Sequence, residues 1–321
     1  MDARFIGIDL GNTNQTIALA DASGNLLRIE RRVTEPGGTA PAILEGVLDA
    51  VETLLAGQSA RDAGVRAVGV GFGGPVDMPT GTVRLSHQVP GWEDVPLKAL
   101  LEERFAVPAR VDNDANVGTL GELRFGAGQG LQDIVYINIG TGIGGGLVFA
   151  GRLHRGVSTA AGEIGHTIVL PGGPLCSCGH RGCLEALCSG TAIGRRARDL
   201  AEGDPALGAR LLTLAGGDPE RITAKTAFRA AEEGDPGGRR VLNETVEYLA
   251  IAIGNLLNLL NPQAIILGGG VSEAGDLLFV PLRERTRDYC MEPPYAAARI
   301  LPAQLGYDAG VRGAVALAME G

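Results

Sequence analysis

An α/β chain of two related domains is the fold class this sequence predicts, and three observations carry that prediction. The chain has 321 residues, 45% of them hydrophobic and 20% charged, which is enough to bury a large core and to divide into two domains. A strand, a Gly/Thr turn and a second strand open it over residues 5–20, and the same plan returns over residues 133–149. Around these units, apolar runs of strand length alternate with amphipathic stretches of helix length.

Taken in order, Phe5 to Asp9 reads as a buried strand, Gly11-Asn-Thr-Asn14 as a polar turn, and Gln15 to Ala20 as the returning strand. Ile43, Val47, Val51, Leu54 and Leu55 recur at helical spacing over residues 40–56. Val65 to Gly71 is a further buried strand, stopped by Gly73-Gly74-Pro75. Leu97 to Phe105 reads as a helix and Ala109 to Asp112 as a short strand, after which Asn113-Asp114-Ala-Asn116 carries cap-forming residues that open another helix. Asp133 to Ile139 is a strand, Gly140 to Gly146 a glycine turn, and Leu147 to Phe149 the strand that returns from it. Residues 201–218 hold two Gly-Asp-Pro breaks and read as a surface excursion. Arg240 to Leu260 is a long amphipathic helix ended by Asn261-Pro262, and it feeds the strand Ala264 to Leu267 and a third glycine turn, Gly268 to Gly270.

Three glycine turns that each follow a strand can aim backbone N–H groups at one point and let phosphate oxygens approach closely. Two of them carry a threonine, Thr13 and Thr141. A lysine-containing P-loop is excluded, because the only lysines, Lys98 and Lys225, follow no GxxxxG run. The net charge of −9 and the lack of a basic cluster argue against nucleic acid as a partner. The opening residues have no signal-peptide pattern and no apolar run reaches membrane-spanning length, so a cytoplasmic protein with no membrane association is expected.

Four of the five cysteines, Cys176, Cys178, Cys183 and Cys188, crowd into one segment, and Cys290 stands alone. In such a chain the cluster points to metal binding before disulfides. The spacing C-x-C-x4-C supplies three thiolates, and zinc needs a fourth ligand to close a tetrahedron; His166, His180 and Cys188 are the candidates.

Asp9-x-Gly11-x-Thr13, the Gly140 to Gly146 loop and Leu267-Gly-Gly-Gly-Val-Ser272 resemble the two phosphate motifs and the adenosine motif of actin/hexokinase-like ATPases, in the same chain order. Gly162-Glu-Ile-Gly-His166 with Cys176-x-Cys-Gly-x-x-Gly-Cys-x-Glu185 resembles the ROK family of repressors and sugar kinases, and the resemblance covers essentially the whole chain. It implies two ribonuclease H-like domains of duplicated topology flanking a cleft. Residues 1–114, joined by a C-terminal helix at about 306–321, form the small domain, and 115–305 form the larger one, with the zinc loop at 166–185.

The same resemblance implies an ATP-dependent kinase for a hexose or N-acetylhexosamine, of glucose type and acting at C6. Asp114 is the expected general base; Asp112 is the rival carboxylate, and a helix N-cap is the competing role for Asp114. Asp9, Gly11, Asn12, Thr13, Gly140, Thr141, Gly142, Gly144, Gly268, Gly269 and Gly270 are expected to bind ATP and Mg2+. Gly74, Asn113, Asp114, Glu163, His166 and Glu185 are expected at the sugar. The family spacing assigns His166 as the fourth zinc ligand beside Cys176, Cys178 and Cys183, so His166 would touch both metal and sugar. A closed four-ligand zinc has no position for substrate and is therefore structural, with its removal expected to weaken sugar binding more than nucleotide binding. A homo-oligomer, dimer or tetramer, is also implied.

Two departures from the family pattern stand out: Asn12 replaces a glycine, and Ser86-His-Gln88 lies where a sugar loop usually carries asparagine. They motivate the alternative of a sugar sensor or regulator without kinase activity. Against a repressor, Asp9 comes too early for a helix-turn-helix ahead of it.

Overall fold

The computed structural model describes residues 3–11, 14–34, 38–86 and 89–320. The chain forms two compact units, Met1–Leu131 with Gly146–Gly162 and Gln304–Gly321, and Gln132–Gly145 with Glu163–Ala303.

The first unit starts with β1 (Arg4–Leu10), β2 (Asn14–Asp21) and β3 (Leu26–Val33), followed by α1 (Ala40–Leu54) and β4 (Val65–Phe72). A short hairpin of β5 (Val76–Asp77) and β6 (Thr82–Val83) precedes α2 (Leu97–Phe105), β7 (Ala109–Asn113) and α3 (Asp114–Phe125). Its sheet has the order β3-β2-β1-β4-β7, antiparallel across β3, β2 and β1 and parallel across β1, β4 and β7. Ile6, Ile8, Val68 and Val70 are fully buried, as the near-continuous apolar runs of inner parallel strands require. β3 escapes sequence reading because its LLRIERRV pattern is mostly exposed and charged, as suits an edge strand.

The second series runs β8 (Ile134–Ile139), β9 (Ile143–Phe149), β10 (Arg152–His154), α4 (Leu184–Cys188), α5 (Gly190–Gly203), α6 (Pro205–Leu214), α7 (Ala224–Glu232) and α8 (Pro236–Leu260). It continues with β11 (Ala264–Gly268), α9 (Asp276–Thr286), α10 (Glu292–Ala297) and β12 (Arg299–Pro302). The sheet order β10-β9-β8-β11-β12 repeats that of the first sheet, with β9–β10 antiparallel and β8–β11–β12 parallel. The duplicated topology expected from the two strand–turn–strand units is therefore present.

The chain ends in α11 (Ala309–Met319), which packs on β1, β4 and α3 of the first unit. Glycines make that approach close: a Cβ on Gly7 would meet the Val311 carbonyl at 2.6 Å, and one on Gly121 of α3 would meet the Ala309 carbonyl at 2.6 Å. This helix–helix contact explains why the boundary differs from the division at residues 114 and 115. α3 belongs with α11, so residues 115–131 and 146–162 join the first unit instead of the larger domain.

Two further expectations are corrected. Residues 201–218 are not an excursion: Asp204 caps α6, accepting from the Ala206 amide at 3.0 Å, with Pro205 at its first position and Leu211 fully buried. A Gly-Asp-Pro string is a helix start here, since aspartate caps and proline fits the first turn, and Gly234-Asp235-Pro236 starts α8 in the same way. The second glycine turn is also shorter than the Gly140 to Gly146 run, because β9 begins at Ile143 and takes Gly144 into the strand.

Candidate active site and metal centre

In the first unit, β1 ends at Leu10 and delivers Asp9 beside the first turn of α11, where a Cβ on Gly310 would lie 2.5 Å from the Asp9 carboxyl carbon. Burial, and then the charge of Asp114, pushes the Asp9 carboxyl up to about 7. The Gly11 amide donates to the Asn14 carbonyl at 3.1 Å and closes the first glycine turn. Asn12 and Thr13, as well as His87 and Gln88 of the suspected sugar loop, lie outside the described residues.

Asn113 ends β7 and is the N-cap of α3: its Oδ1 accepts from the Ala115 amide at 2.9 Å and the Asn116 amide at 3.4 Å. Its Nδ2 donates to the Gly74 carbonyl at 3.3 Å, so two of the expected sugar residues meet. Asp114 is the first helical residue, and the capping role falls to Asn113. Its Oδ1 accepts from the Ala115 amide at 2.8 Å.

Asp112 has a different task from the one considered for it. It is buried, and its Oδ2 accepts from Arg155 Nε at 2.7 Å while its Oδ1 accepts from Asn116 Nδ2 at 2.9 Å and the Asn113 amide at 2.8 Å. Both oxygens are thus committed to holding the β7–α3 corner. Arg155 is a residue that sequence reading missed, because nothing in the local pattern around His154-Arg155-Gly156 signals a partner 43 positions away.

In the second unit, the turn between β8 and β9 is Gly140-Thr141-Gly142, closed by the Gly140 amide donating to the Gly142 carbonyl at 2.9 Å. The third glycine turn lies against the end of β8: the Val271 amide donates to the Ile139 carbonyl at 3.1 Å, and Gly269 adopts a left-handed φ of 81° that favours glycine. The expected nucleotide glycines Gly140, Gly142, Gly268, Gly269 and Gly270 are therefore neighbours, and Gly144 sits inside β9.

His166, Cys176, Cys178 and Cys183 place one donor atom each within 4.8 Å of one another. His166 Nδ1 is 3.6 Å from Cys176 Sγ, and Cys178 Sγ is 3.7 Å from Cys183 Sγ. A tetrahedron with Zn–S near 2.3 Å and Zn–N near 2.0 Å has edges of roughly 3.5–3.8 Å, so the donor set fits zinc. Of the other candidates, Cys188 is buried elsewhere, 3.6 Å from the Thr245 carbonyl, with burial pushing its thiol up to about 12. His180 faces Cys178 with its Nδ1 at 3.6 Å but stands outside the four-donor group. Burial pushes the Cys183 thiol up to about 12, so a metal there must displace a tightly held proton.

With Nδ1 toward the cysteines, His166 turns Nε2 toward Glu163, whose Oε2 lies 3.9 Å away. Glu185 follows Cys183 by two residues; its Oε1 accepts from Ser177 Oγ at 3.0 Å and its Oε2 from the Ile143 amide at 2.9 Å. Among the described residues, no helix is long and apolar enough to cross a membrane.

The family model described as "ROK family" matches residues 5–320. The chain is 37% identical over 317 residues to a glucokinase of Thermotoga maritima, covering 99% of this chain and 98% of that one. It superposes with a TM-score of 0.81 on the crystal structure of a ROK family glucokinase from Streptomyces griseus in complex with glucose and AMPPNP, at 38% identity, covering 99% of this chain and all of the other. It is also 31% identical over 280 residues to a xylose repressor of Caldicellulosiruptor bescii, covering 87% of this chain and 69% of the repressor.

Proposed function

From the premise that this chain belongs to the ROK family, we propose that it is a kinase that transfers the γ-phosphoryl group of ATP to a hexose of glucose type, at the C6 hydroxyl. The observation that carries the reading is the β7–α3 corner. Asn113 takes the cap, Asp112 and Arg155 hold the corner, and Asp114 occupies the first helical position. Asp114 accepts the proton of the sugar hydroxyl as its oxygen attacks the γ-phosphorus. Full-length similarity to a glucokinase, and to a glucokinase solved with glucose and AMPPNP, supports this substrate pair.

The amides of Gly140 to Gly142 and the Gly268 to Gly270 turn take the nucleotide, with Gly11, Asn12 and Thr13 at its phosphates. Asp9 would orient Mg2+ through water, and that ion would supply charge neutralisation at the β- and γ-phosphates. Gly74, Asn113, Glu163, His166 and Glu185 supply the sugar contacts: carbonyl, amide, carboxylates and the Nε2 side of the imidazole suit a ring of hydroxyls. His166, Cys176, Cys178 and Cys183 hold a structural Zn2+, which supplies rigidity to the loop between His166 and Glu185. A cytoplasmic homo-oligomer completes the reading, and light scattering on the purified protein measures the oligomeric state.

The test is ADP release across a hexose panel with wild type and Asp114→Asn. Turnover with glucose or a close relative, reduced at least 100-fold in the variant, is expected. Near wild-type turnover in the variant would remove Asp114 as the base. The similarity to a xylose repressor favours a second reading, a sugar sensor without kinase activity. Sugar binding without ADP release for any hexose would select it.

A further inference from the structure

The Gly140–Gly142 turn is held from outside by one short segment. The Gly190 amide donates to the Gly140 carbonyl at 2.7 Å, Thr191 Oγ1 donates to the Thr141 carbonyl at 2.9 Å, and Glu185 Oε2 accepts from the Ile143 amide at 2.9 Å. Residues 185–191 thus engage the chain at Gly140, Thr141 and Ile143. A Cβ on Gly142 would stand 2.6 Å from Glu185 Oε2, so the carboxylate lies directly on the turn.

The same segment is anchored at its other end to the cysteine loop. Cys183 is the N-cap residue of α4, the helix that carries Glu185, and Ser177 Oγ, between Cys176 and Cys178, donates to Glu185 Oε1 at 3.0 Å. The two oxygens of one carboxylate are therefore divided, one to the cysteine loop and one to the glycine turn. A carboxylate that bridges two loops fixes their separation, because moving either loop leaves an acceptor or an amide without its partner.

We propose that Glu185, together with Thr191, is a positioning residue for the nucleotide: it transmits the order of the His166/Cys176/Cys178/Cys183 cluster to the turn that binds the phosphates. This rests on the kinase reading and changes one of its parts. The cluster then supports the phosphate donor as well as the acceptor sugar, and its loss weakens nucleotide binding too.

The experiment is calorimetric titration of the full chain with AMPPNP and Mg2+, and separately with glucose, for wild type, Thr191→Val, Thr191→Ser and Glu185→Gln. Thr191 is exposed, so its substitution leaves the core intact, and a thermal melt checks each variant. Loss of one neutral hydrogen bond predicts AMPPNP binding weakened about 2- to 10-fold in Thr191→Val, with glucose binding unchanged and affinity restored in Thr191→Ser. Glu185→Gln weakens AMPPNP by a similar or larger factor, and in turnover assays KM for ATP rises. Stripping the metal with a chelator lowers AMPPNP and glucose affinity together.

The proposal is overturned if wild type binds AMPPNP and both Thr191→Val and Glu185→Gln bind it equally well; that result confines Glu185 to the sugar. If Glu185→Gln does not fold, the Thr191 pair decides by itself. Wild-type protein that binds no AMPPNP removes the kinase reading and this inference with it.

Discussion

Replacing Asp9 by asparagine is expected to stabilise the magnesium-free, nucleotide-free protein at neutral pH while removing phosphoryl transfer. Asp9 is half-buried at the end of β1, and burial followed by the Asp114 charge raises its carboxyl from 3.8 to about 7. Between those values the folded chain keeps a proton that the unfolded chain has released. The unfolded state then binds fewer protons, so this residue's contribution to stability falls as pH rises through the window and stays low above it. A shift of about three pH units at ~1.36 kcal/mol each sets a ceiling of ~4 kcal/mol, and asparagine, which does not ionise, removes this pH-dependent cost. Urea unfolding of both proteins in magnesium-free buffer, from about pH 5 to about pH 8, should show the variant's advantage growing by about 2–3 kcal/mol. Magnesium with AMPPNP should then stabilise wild type more than the variant. Parallel pH profiles for the two proteins would refute the assignment of Asp9 as a carboxylate kept costly by the fold for the sake of a cation.

Three further outcomes are expected. Arg155→Ala leaves the buried Asp112 carboxylate without its cation and should cost about 3 kcal/mol in urea unfolding, lowering kcat as the β7–α3 corner loosens, with partial recovery in Arg155→Lys. Gly121→Ala should destabilise by about 1–3 kcal/mol, because a methyl group there meets the α11 backbone at the Ala309 carbonyl. Chelation of the metal should lower the melting temperature and release about one zinc per chain by atomic absorption, and Cys183→Ser should purify without metal.

The fold was legible where the hydrophobic pattern alone decides the structure. Leu97–Phe105 formed a helix at the expected bounds, and the inner strands β1, β4, β8 and β11 matched continuous apolar runs. It was illegible where burial is one-sided or supplied by another element. β3 lies at an edge, where exposed arginines replace the apolar run. The boundary between units depends on α3 meeting α11 far along the chain, through Gly121 and Gly313, and no local pattern encodes that encounter.

The site divides in the same way, and the division explains why Glu185 has two readings. The C-x-C-x4-C spacing grouped Cys176, Cys178 and Cys183 but left His166, His180 and Cys188 open as the fourth ligand; the family resemblance pointed to His166, and the structure brings His166 to the three cysteines. The sequence pattern gave Asp114 and Asn113 their neighbourhood but not their separate tasks, since either residue type caps a helix; only the backbone shows that Asn113 is the cap. Asp112–Arg155 and Glu185–Ile143 are long-range pairs, and both were invisible in the sequence. A carboxylate beside a zinc loop is open to a sugar role by motif and to a structural role by geometry. In this chain its two oxygens already hold Ser177 and the Ile143 amide. A sugar hydroxyl that reaches Glu185 must therefore donate to lone pairs left over from that bridge or compete with it, and competition would couple sugar binding to the phosphate turn through a single side chain.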